Sequence, residues 1–330
     1  MKLGILSFAH LHAESYVGSI RGLPGVELIG IADADLARGQ KYAAQFNTRL
    51  FPSVEALLGE KPDGVIVCAE NANHRALVEL AASAGVNVLC EKPLATSLED
   101  ASAMLDAAER AGVKLMTAFP MRFNAPVIET KRLIDNGALG QVYAANTTNQ
   151  GECPKHHRAW FVDRKLAGGG ALADHIVHVT DLLRWYLSSE VVEVYAQSNA
   201  ILYSGEVEVE TGGLVMLTFA NGVFATIDCS WSKPPYYPTW GGLTMDFIGQ
   251  NGLITVNAFK QVLTVYSHDR QRPAYAYWGS DSNQAMIAEF VTAIREDRAP
   301  HVTGYDGFKA VEVVMAAYDS VESGQPVRLA

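Results

Sequence analysis

Three side chains in this sequence have the types and spacing that proton transfer requires. Asp174 and His178 stand four residues apart in a mostly apolar segment, so a helix would place both on one face, where the carboxylate can orient the imidazole. Lys92 follows the apolar run Asn87–Cys90 and precedes a proline, which favours an ammonium group at the end of a buried strand. A partly desolvated ammonium there can stabilise a developing negative charge or release its proton.

Each of these assignments has a structural alternative. Lys92 could form an ion pair with Glu91 at the end of the strand. Asp174 and His178 could form an exposed pair on a helix surface, with little consequence for chemistry. Spacing alone does not separate the two interpretations for either group.

A second pattern has the donors of a metal site. His10 and His12 flank a single residue, as in the His-x-His of metal-dependent amidohydrolase barrels, and Cys153, His156 and His157 could add ligands. Against a barrel, the second half of the chain lacks the alternation of strands and helices that a barrel needs. We therefore predict no metal site and keep the amidohydrolase as an alternative.

The elements that carry these residues follow from the apolar pattern. In the first 120 residues, short apolar runs alternate with amphipathic segments, which is typical of strands buried on both faces of a parallel sheet. This pattern predicts an α/β, doubly wound, Rossmann-like domain over residues 1–120 that binds its ligand at the carboxyl ends of the strands. The strands are predicted at Lys2–Phe8, Val26–Asp33, Gly64–Ala69, Asn87–Cys90 and Val113–Ala118.

The rest of the chain has a different pattern, in which strand follows strand. It predicts an α+β domain over residues 121–330 with a large, mostly antiparallel open sheet. Helices are predicted at Asn124–Asn136, Leu172–Leu187, about 282–296 and about 305–323. A strand is predicted at Gly140–Gln150, and further strands between Val191 and Val265 with turns at Asn221-Gly222, Gly241-Gly242 and Asn251-Gly252.

Composition limits the class of partner. Acidic residues outnumber basic ones, and the formal net charge of -10 is spread along the chain, which disfavours nucleic acid and anionic membranes and favours a small-molecule ligand. The first apolar run is too short for a secretory signal or a membrane span. The four cysteines contain no Cys-x-x-Cys pair, which suits a reducing compartment. We predict a cytoplasmic protein.

The ends of the first two predicted strands carry a cofactor signal. A dinucleotide on such a sheet places its ribose at an acid that ends the second strand, and its pyrophosphate at the first helix. Asp33 has the acid's position, unless it caps a helix beside Asp35, and it favours NAD over NADP, a preference that Arg38 weakens. The loop Ser7–His12 lacks every glycine of the Gly-x-Gly-x-x-Gly fingerprint, although its two imidazoles could donate to phosphate.

Three separated motifs carry a resemblance over nearly the whole chain. They are GVNVLCEKPL (Gly85–Leu94), RFNAP (Arg122–Pro126) and GGGALADHIVHVTD (Gly168–Asp181). With these motifs in this order, the sequence resembles the Gfo/Idh/MocA family of oxidoreductases. The resemblance implies a Rossmann-like domain followed by an α/β domain with an open sheet, an NAD(P) cofactor, and a sugar, polyol or cyclitol substrate. The sequence departs from the family's pattern in the glycine fingerprint and at Cys68–Asn71, where Thr-Pro is common.

The resemblance also assigns roles to the residues. Hydride transfer between a secondary alcohol and nicotinamide needs a group that takes the hydroxyl proton and a cation that stabilises the developing alkoxide. We predict His178 as the acid–base group, Asp174 as its orienter or a substrate ligand, and Lys92 as the cation. Arg122 is expected to clamp the cofactor or bridge the domains. His175 falls on another helix face and is a poorer candidate.

The remaining predictions concern contacts and assembly. A redox-neutral glycoside hydrolase with bound NAD, or a non-catalytic sugar sensor, is an alternative on the same fold. The family implies a homodimer or homotetramer through the second sheet. The aromatic residues Trp231, Tyr236, Tyr237 and Trp240 could line a pocket or a subunit contact. The predicted cofactor contacts are Ser7, Phe8, Ala9, His10, Leu11, His12, Asp33, Arg38, Ala69, Glu70, Asn71, His74, Glu91, Lys92, Pro93 and Arg122. The predicted substrate contacts are Lys92, Arg122, Lys155, His156, His157, Trp160, Asp174 and His178.

Overall fold

The chain divides by its internal contacts into two compact units. The computed structural model describes residues 1–239, 241–266, 268, 271, 274–277 and 279–329, so Trp240 of the predicted aromatic group lies outside the described residues. The domain boundaries predicted from the sequence, 1–120 and 121–330, stay a prediction. The first unit comprises Met1–Pro120, His157–Gly168 and Asn283–Val311, and the second comprises Met121–His156, Gly169–Ser282 and Glu312–Ala330.

The first unit is built on a parallel sheet with helices between its strands. Its strands are β1 (Lys2–Leu6), β2 (Glu27–Ala32), β3 (Gly64–Val67), β4 (Asn87–Cys90) and β5 (Leu115–Thr117). The helices between them are α1 (His12–Arg21), α2 (Leu36–Gln45), α3 (Val54–Leu58), α4 (His74–Ser83) and α5 (Leu98–Ala111). Within this part of the described chain the strands pair in parallel in the order β2-β1-β3-β4-β5. The predicted Rossmann-like sheet is confirmed.

The strand ends of this sheet are shorter than predicted. β1 ends at Leu6, two residues before the predicted Phe8, because Ser7 takes a left-handed backbone conformation with φ of 71°, which no strand can continue. β3 likewise ends at Val67, and Asn71–Asn73 form a 3-10 turn. The chain therefore leaves the sheet early at the edge where such folds bind ligands.

The second unit contains the larger sheet, and the described strands confirm that it is mostly antiparallel. The elements after β5 are α6 (Ala125–Asp135), β6 (Val142–Gly151), α7 (Arg164–Ala167), α8 (Ala171–Leu187), β7 (Val191–Asn199), β8 (Gly212–Phe219), β9 (Phe224–Ser230), β10 (Gly241–Gly249), β11 (Gly252–Asn257), β12 (Val262–Val265), β13 (Ala274–Tyr277), α9 (Ser282–Arg295), α10 (Gly304–Ser323) and β14 (Val327–Arg328). The sheet has the order β11-β10-β6-β9-β8-β7-β14 among the described residues, and there the β6–β9 pair is parallel.

One predicted turn in this sheet is wrong. Gly241 and Gly242 open β10, where they pair with Gly151 and Gln150 of β6. Pairing with β6 holds both glycines in an extended strand, and this outweighs their tendency to turn. None of the helices in the part of the chain that the structure describes has the length and apolar character of a membrane span.

Helix α8 packs on one face of the second sheet, against β6, β8 and β9. Residues 171–184 are all described, and they are buried except for Asp174 and His178, which are partly exposed. Their spacing of four residues places both side chains on the same side of the helix. The predicted shared face of this pair is therefore the accessible side of an otherwise buried helix.

The start of α8 is fixed by contacts that require glycine. Glu210 Oε1 accepts the backbone N–H of Gly170 at 2.8 Å and the hydroxyl of Tyr318 at 2.8 Å. A Cβ added at Gly169 would lie 1.8 Å from the Tyr318 hydroxyl oxygen, and one added at Gly170 would lie 2.0 Å from the Glu210 carbonyl oxygen. The glycines before the helix thus allow Glu210 to satisfy its first backbone donors.

We expect Gly170→Ala to lower the free energy of unfolding by about 3 kcal/mol, because the added methyl group would overlap a backbone carbonyl that cannot move alone. Gly18→Ala is the matched control, since nothing lies within 4 Å of its added Cβ and alanine is preferred inside a helix. Urea unfolding followed by circular dichroism measures both variants. A Gly170→Ala protein as stable as wild type would contradict the close fit described here.

Candidate active site

The loop between β1 and α1 is held by its own hydrogen bonds. The Phe8 N–H donates to Asp33 Oδ2 at 2.8 Å, and the Ala9 N–H donates to Ser7 Oγ at 3.1 Å. The His12 N–H lies 3.2 Å from His10 Nδ1 and donates to it. Sequence reasoning predicted these residues as the pyrophosphate loop, and the structure brings them together at the carboxyl end of β1. Side chains of the loop supply acceptors for several N–H groups that a glycine-rich loop would leave open.

Asp33 follows β2 and is covered by Arg38. Its side chain has no exposed surface, and Arg38 forms a bidentate pair with it, Nε to Oδ2 at 2.9 Å and Nη2 to Oδ1 at 2.8 Å. The Asp35 N–H also donates to Asp33 Oδ1, at 2.9 Å. The N-cap of α2 is Asp35. Arg38 Nη1 reaches Glu70 Oε1 at 3.3 Å, so the ends of β2 and β3 are linked by charge.

Glu91 is buried beneath the same loop. Its Oε1 accepts the Tyr16 hydroxyl at 2.5 Å, and it lies 3.1 Å from His12 Nδ1 and 3.8 Å from His10 Nδ1. Burial would raise the pKa of Glu91, but the two histidines and the Tyr16 hydrogen bond hold it well below its usual range. Burial and the nearby carboxylate raise the pKa of Tyr16 well above its ordinary value. Glu91 is thus an ionised anchor that ties the end of β4 to the loop.

His10, His12 and Glu91 also have the donor types of a metal site. Their ligand atoms lie within 4.8 Å of one another, and they are the one group of this kind among the described residues. The Tyr16 hydroxyl and the His12 ring already bond to Glu91. The His-x-His barrel is wrong, because the described strands of this unit form an open parallel sheet.

Lys92 lies in the turn after β4, and His74 holds that turn. Lys92 is 5% exposed, and its peptide bond to Pro93 is cis. His74 Nδ1 lies 3.1 Å from the Pro93 carbonyl oxygen and 3.2 Å from that of Leu94, and its Nε2 lies 3.2 Å from the Ala69 carbonyl oxygen. Burial lowers the pKa of His74, while these hydrogen bonds oppose the shift. His74, predicted as a cofactor contact, positions the Lys92 turn in this structure.

Residues 157–168 pack against the β1–α1 loop. The Nε1 of Trp160 and the Nε of Arg158 donate to the carbonyl oxygen of Ala9, at 3.0 Å and 3.1 Å. Trp160 is 8% exposed and stacks on Phe161 with ring centroids 4.0 Å apart. The stacking of Trp160 on a sugar therefore stays a prediction, and its contacts here are with the chain itself.

The other predicted binding residues have varied surroundings. Lys155 forms an ion pair with Glu206, whereas His156 and His157 are exposed. Asn71 donates from Nδ2 to the carbonyl oxygen of Ala167 at 2.9 Å. The contacts of Lys155, His156 and His157 with substrate stay predictions.

In the second unit, Asp174 is held by two side chains that sequence reasoning did not choose. Asp174 Oδ2 lies 3.1 Å from His175 Nε2 and 3.2 Å from Trp231 Nε1. His175 Nδ1 in turn lies 2.5 Å from the carbonyl oxygen of Asn149. His175 faces the sheet, as its helix position indicates, but its ring also reaches the neighbouring carboxylate. It is therefore a positioning residue for Asp174, together with Trp231.

Arg122 forms a buried ion pair within the second unit. Its Nε and Nη2 donate to the two carboxylate oxygens of Asp181 at 2.8 Å and 2.7 Å, and its guanidinium lies 5.1 Å from the centre of the Trp185 ring. Bidentate pairing of this kind satisfies a buried arginine. The predicted contact of Arg122 with cofactor or substrate is a separate role, and it stays a prediction.

Comparisons with known proteins agree over the whole chain. Residues 3–119 match the model of an oxidoreductase family with an NAD-binding Rossmann fold, GFO_IDH_MocA, and residues 127–255 match the GFO/IDH/MocA C-terminal domain. The 1,5-anhydro-D-fructose reductase of Ensifer adhaerens is 30% identical over 341 residues, covering 99% of this chain and 98% of the relative. The D-xylose 1-dehydrogenase (NADP(+)) 2 of Haloferax volcanii is 27% identical over 333 residues, covering 100% of both. The crystal structure of GenD2 from gentamicin A biosynthesis in complex with NAD has a TM-score of 0.90 at 25% identity, covering 100% of this chain and 96% of that one.

We expect Glu91→Gln to lower the free energy of unfolding by about 3 kcal/mol at neutral pH, because it removes the charge at the centre of a buried network. The folded-state pKa of Glu91 is lowered, so its contribution is present above the unfolded pKa of about 4.3 and is lost as the pH falls through the folded value. The stability difference from wild type should therefore shrink below about pH 4.3.

Urea midpoints between neutral and acidic pH provide the measurement. Glu60→Gln serves as the control, since Glu60 forms an exposed pair with Arg49 and such pairs contribute little. A difference between wild type and Glu91→Gln that stays constant with pH would show that the carboxylate charge does not stabilise the loop.

Proposed function

We propose that the chain, a member of the GFO/IDH/MocA family of NAD(P)-dependent oxidoreductases, transfers a hydride between a nicotinamide cofactor and a secondary hydroxyl or carbonyl group of a sugar, polyol or cyclitol. NAD is the favoured cofactor and NADP the less favoured one. Two relatives are a 1,5-anhydro-D-fructose reductase and a D-xylose 1-dehydrogenase, which supports a carbohydrate-like substrate. Their names as a reductase and a dehydrogenase do not favour a glycoside hydrolase or a sensor. The direction of the reaction depends on the substrate.

The observation that carries this proposal is the accessible face of α8. Within the buried stretch 171–184, the partly exposed side chains are a carboxylate and an imidazole one turn apart. Close contacts at Gly169 and Gly170 fix the start of the helix that carries Asp174 and His178. His175 and Trp231 hold the Asp174 carboxylate. Such preorganisation is what acid–base catalysis needs, since the groups do not have to reorganise during the reaction.

The residues of the first unit fit a dinucleotide. Arg38 in α2 is 22% exposed and Glu70, three residues after β3, is 16% exposed. They offer a donor and an acceptor to a ribose. The β1–α1 loop and the N-terminus of α1 lie at the same edge of the sheet, where pyrophosphate binds in such folds. We propose that these groups hold the cofactor.

We propose the following roles for the residues of the chain. When bound, the nicotinamide supplies or accepts the hydride. His178 takes the hydroxyl proton during oxidation and returns it during reduction, and Asp174 orients the imidazole or holds a substrate hydroxyl. Lys92 stabilises the negative charge that develops on the substrate oxygen.

We also propose that the enzyme is a cytoplasmic homodimer or homotetramer that assembles through the second sheet. The cysteines are four buried free thiols, which supports a reducing compartment. On the sheet, Leu214 (64% exposed), Met216 (44%), Phe224 (52%) and Leu253 (62%) are large apolar side chains open to solvent. Apolar area of this kind is typical of a surface that a second copy covers.

We expect NAD to raise the melting temperature at millimolar concentration, because a ligand that binds the native state stabilises it. Differential scanning fluorimetry with NAD and NADP tests this before any substrate is known. A panel of sugars, polyols and cyclitols, followed by absorbance of the reduced cofactor, then identifies the substrate. No shift with either dinucleotide, and no turnover with the panel, would refute the proposed reaction.

With a substrate in hand, we expect His178→Ala to reduce kcat by about 100-fold or more, because a positioned acid–base group contributes at least that factor. Affinity for NAD should stay within about twofold, which separates a chemical role from a folding defect. His301→Ala is the control, since His301 is 72% exposed and has no assigned role. A His178→Ala enzyme with wild-type kcat would refute the assignment of the acid–base group.

A further inference from the structure

The carboxylate of Asp33 is already saturated with hydrogen bonds. A carboxylate offers about four lone-pair sites. Oδ2 accepts the Phe8 N–H and Arg38 Nε, and Oδ1 accepts the Asp35 N–H and Arg38 Nη2, all between 2.8 and 2.9 Å. Its side chain has no exposed surface. A ribose hydroxyl could donate to Asp33 only by displacing one of these donors, including the N–H that fixes the β1–α1 loop.

Arg38 covers Asp33 and presents the charged surface in its place. It is 22% exposed, and besides its two bonds to Asp33 it donates to Ser7 Oγ at 3.2 Å and to Glu70 Oε1 at 3.3 Å. The guanidinium thus lies between two carboxylates. One positive and two negative groups leave this cluster with a formal charge of minus one, so Arg38 is not a cation available to a phosphate without competition.

Glu70 has the acceptor capacity that Asp33 lacks. Its Oε1 accepts Arg38, and its Oε2 accepts the Asn73 Nδ2 at 3.0 Å. These two bonds use about half of the sites of a carboxylate, and the side chain is 16% exposed. Glu70 also stands at one of the places where the sequence departs from the family's common Thr-Pro. The sequence therefore places the Glu70 carboxylate beside Arg38. Arg38 in turn covers Asp33, which has the position of the usual ribose acid.

We propose that Glu70, rather than Asp33, is the carboxylate that accepts the adenosine ribose hydroxyls and disfavours the 2′-phosphate of NADP. Asp33 then has a structural task, holding Arg38 and the Phe8 N–H, and Arg38 links the two acids. The inference rests on the proposed function, because it concerns the cofactor of that reaction. It assigns the choice of NAD to a residue after β3 instead of the residue that ends β2.

The test is dinucleotide binding, which needs no substrate. Isothermal titration calorimetry with NAD and NADP gives the ratio of the two Kd values. A salt concentration of about 0.1 M leaves the interaction between the Glu70 carboxylate and a neighbouring phosphate largely unscreened. We expect wild type to bind NAD more tightly than NADP. We expect Glu70→Gln, which keeps the size of the side chain, to lower the NADP-to-NAD Kd ratio about tenfold, mainly through tighter NADP binding. Glu70→Ala should lower the ratio in the same direction.

Two further variants separate this role from general charge or folding effects. Glu60→Gln removes an equal charge from an exposed pair with Arg49 and should leave the ratio unchanged. Asp33→Asn should lower the melting temperature and weaken both dinucleotides by similar factors, because it loosens the loop.

The outcomes are distinct. If wild type binds NAD but Glu70→Gln and Glu70→Ala leave the ratio unchanged, or if wild type prefers NADP, the inference is wrong and the proposed reaction stands. If wild type binds neither dinucleotide, the proposed function is wrong and the inference falls with it.

Discussion

The buried carboxylate of Glu91 is the interaction on which the ligand edge of the first unit depends. It stands at the end of β4, and it bonds to groups of α1 and of the loop before it, although β3 lies between β4 and β1 in the sheet. An ionised group without exposed surface is tolerated only when it is paired and hydrogen-bonded. Tyr16, His12 and His10 supply those partners. The turn that carries Lys92 and the start of α1 are therefore one connected structure.

The β1–α1 loop has Ser7, Ala9 and His12 at the three positions where the family's fingerprint has glycine. Glycines in such a loop allow a close approach of backbone to pyrophosphate, but they have no side chain to offer a buried acid. His12 instead places its ring nitrogen Nδ1 3.1 Å from Glu91 Oε1. The loop thus contacts Glu91 through a side chain that a glycine at position 12 would not provide.

The sequence predicted the fold well where the signal is local. Alternating apolar runs located the parallel strands, and the spacing of Asp174 and His178 indicated the accessible face of α8. It failed where partners are distant in the chain. Trp231 reaches Asp174 from 57 residues away, and periodicity contains no information on such a contact. The Gly241-Gly242 turn failed for a related reason, since pairing with a strand far upstream decides the conformation of those residues.

Several residues whose side-chain types suggest ligand binding form contacts within the chain. The Arg122 guanidinium donates hydrogen bonds to Asp181, and the Trp160 indole donates one to the Ala9 carbonyl oxygen. Charged and aromatic side chains are as useful for holding a loop as for binding a ligand, and residue type does not distinguish the two. The number of acceptor sites already filled within the chain helps to distinguish them for a carboxylate, because a carboxylate offers only about four. The same criterion separates Asp33, which is closed, from Glu70, which is partly open.

In the cofactor site proposed above, the internal bonds of the β1–α1 loop have a consequence for binding. Where several loop N–H groups already have acceptors in the chain, they contribute less to binding pyrophosphate, so the helix N-terminus and the ribose end carry a larger share. The ribose end is a cluster of charges joined across two strands. A cluster of this kind discriminates strongly between a hydroxyl and a phosphate, because a carboxylate accepts from the first and repels the second. Under this proposal, a loop without the fingerprint glycines makes the choice of dinucleotide depend on side chains more than on backbone.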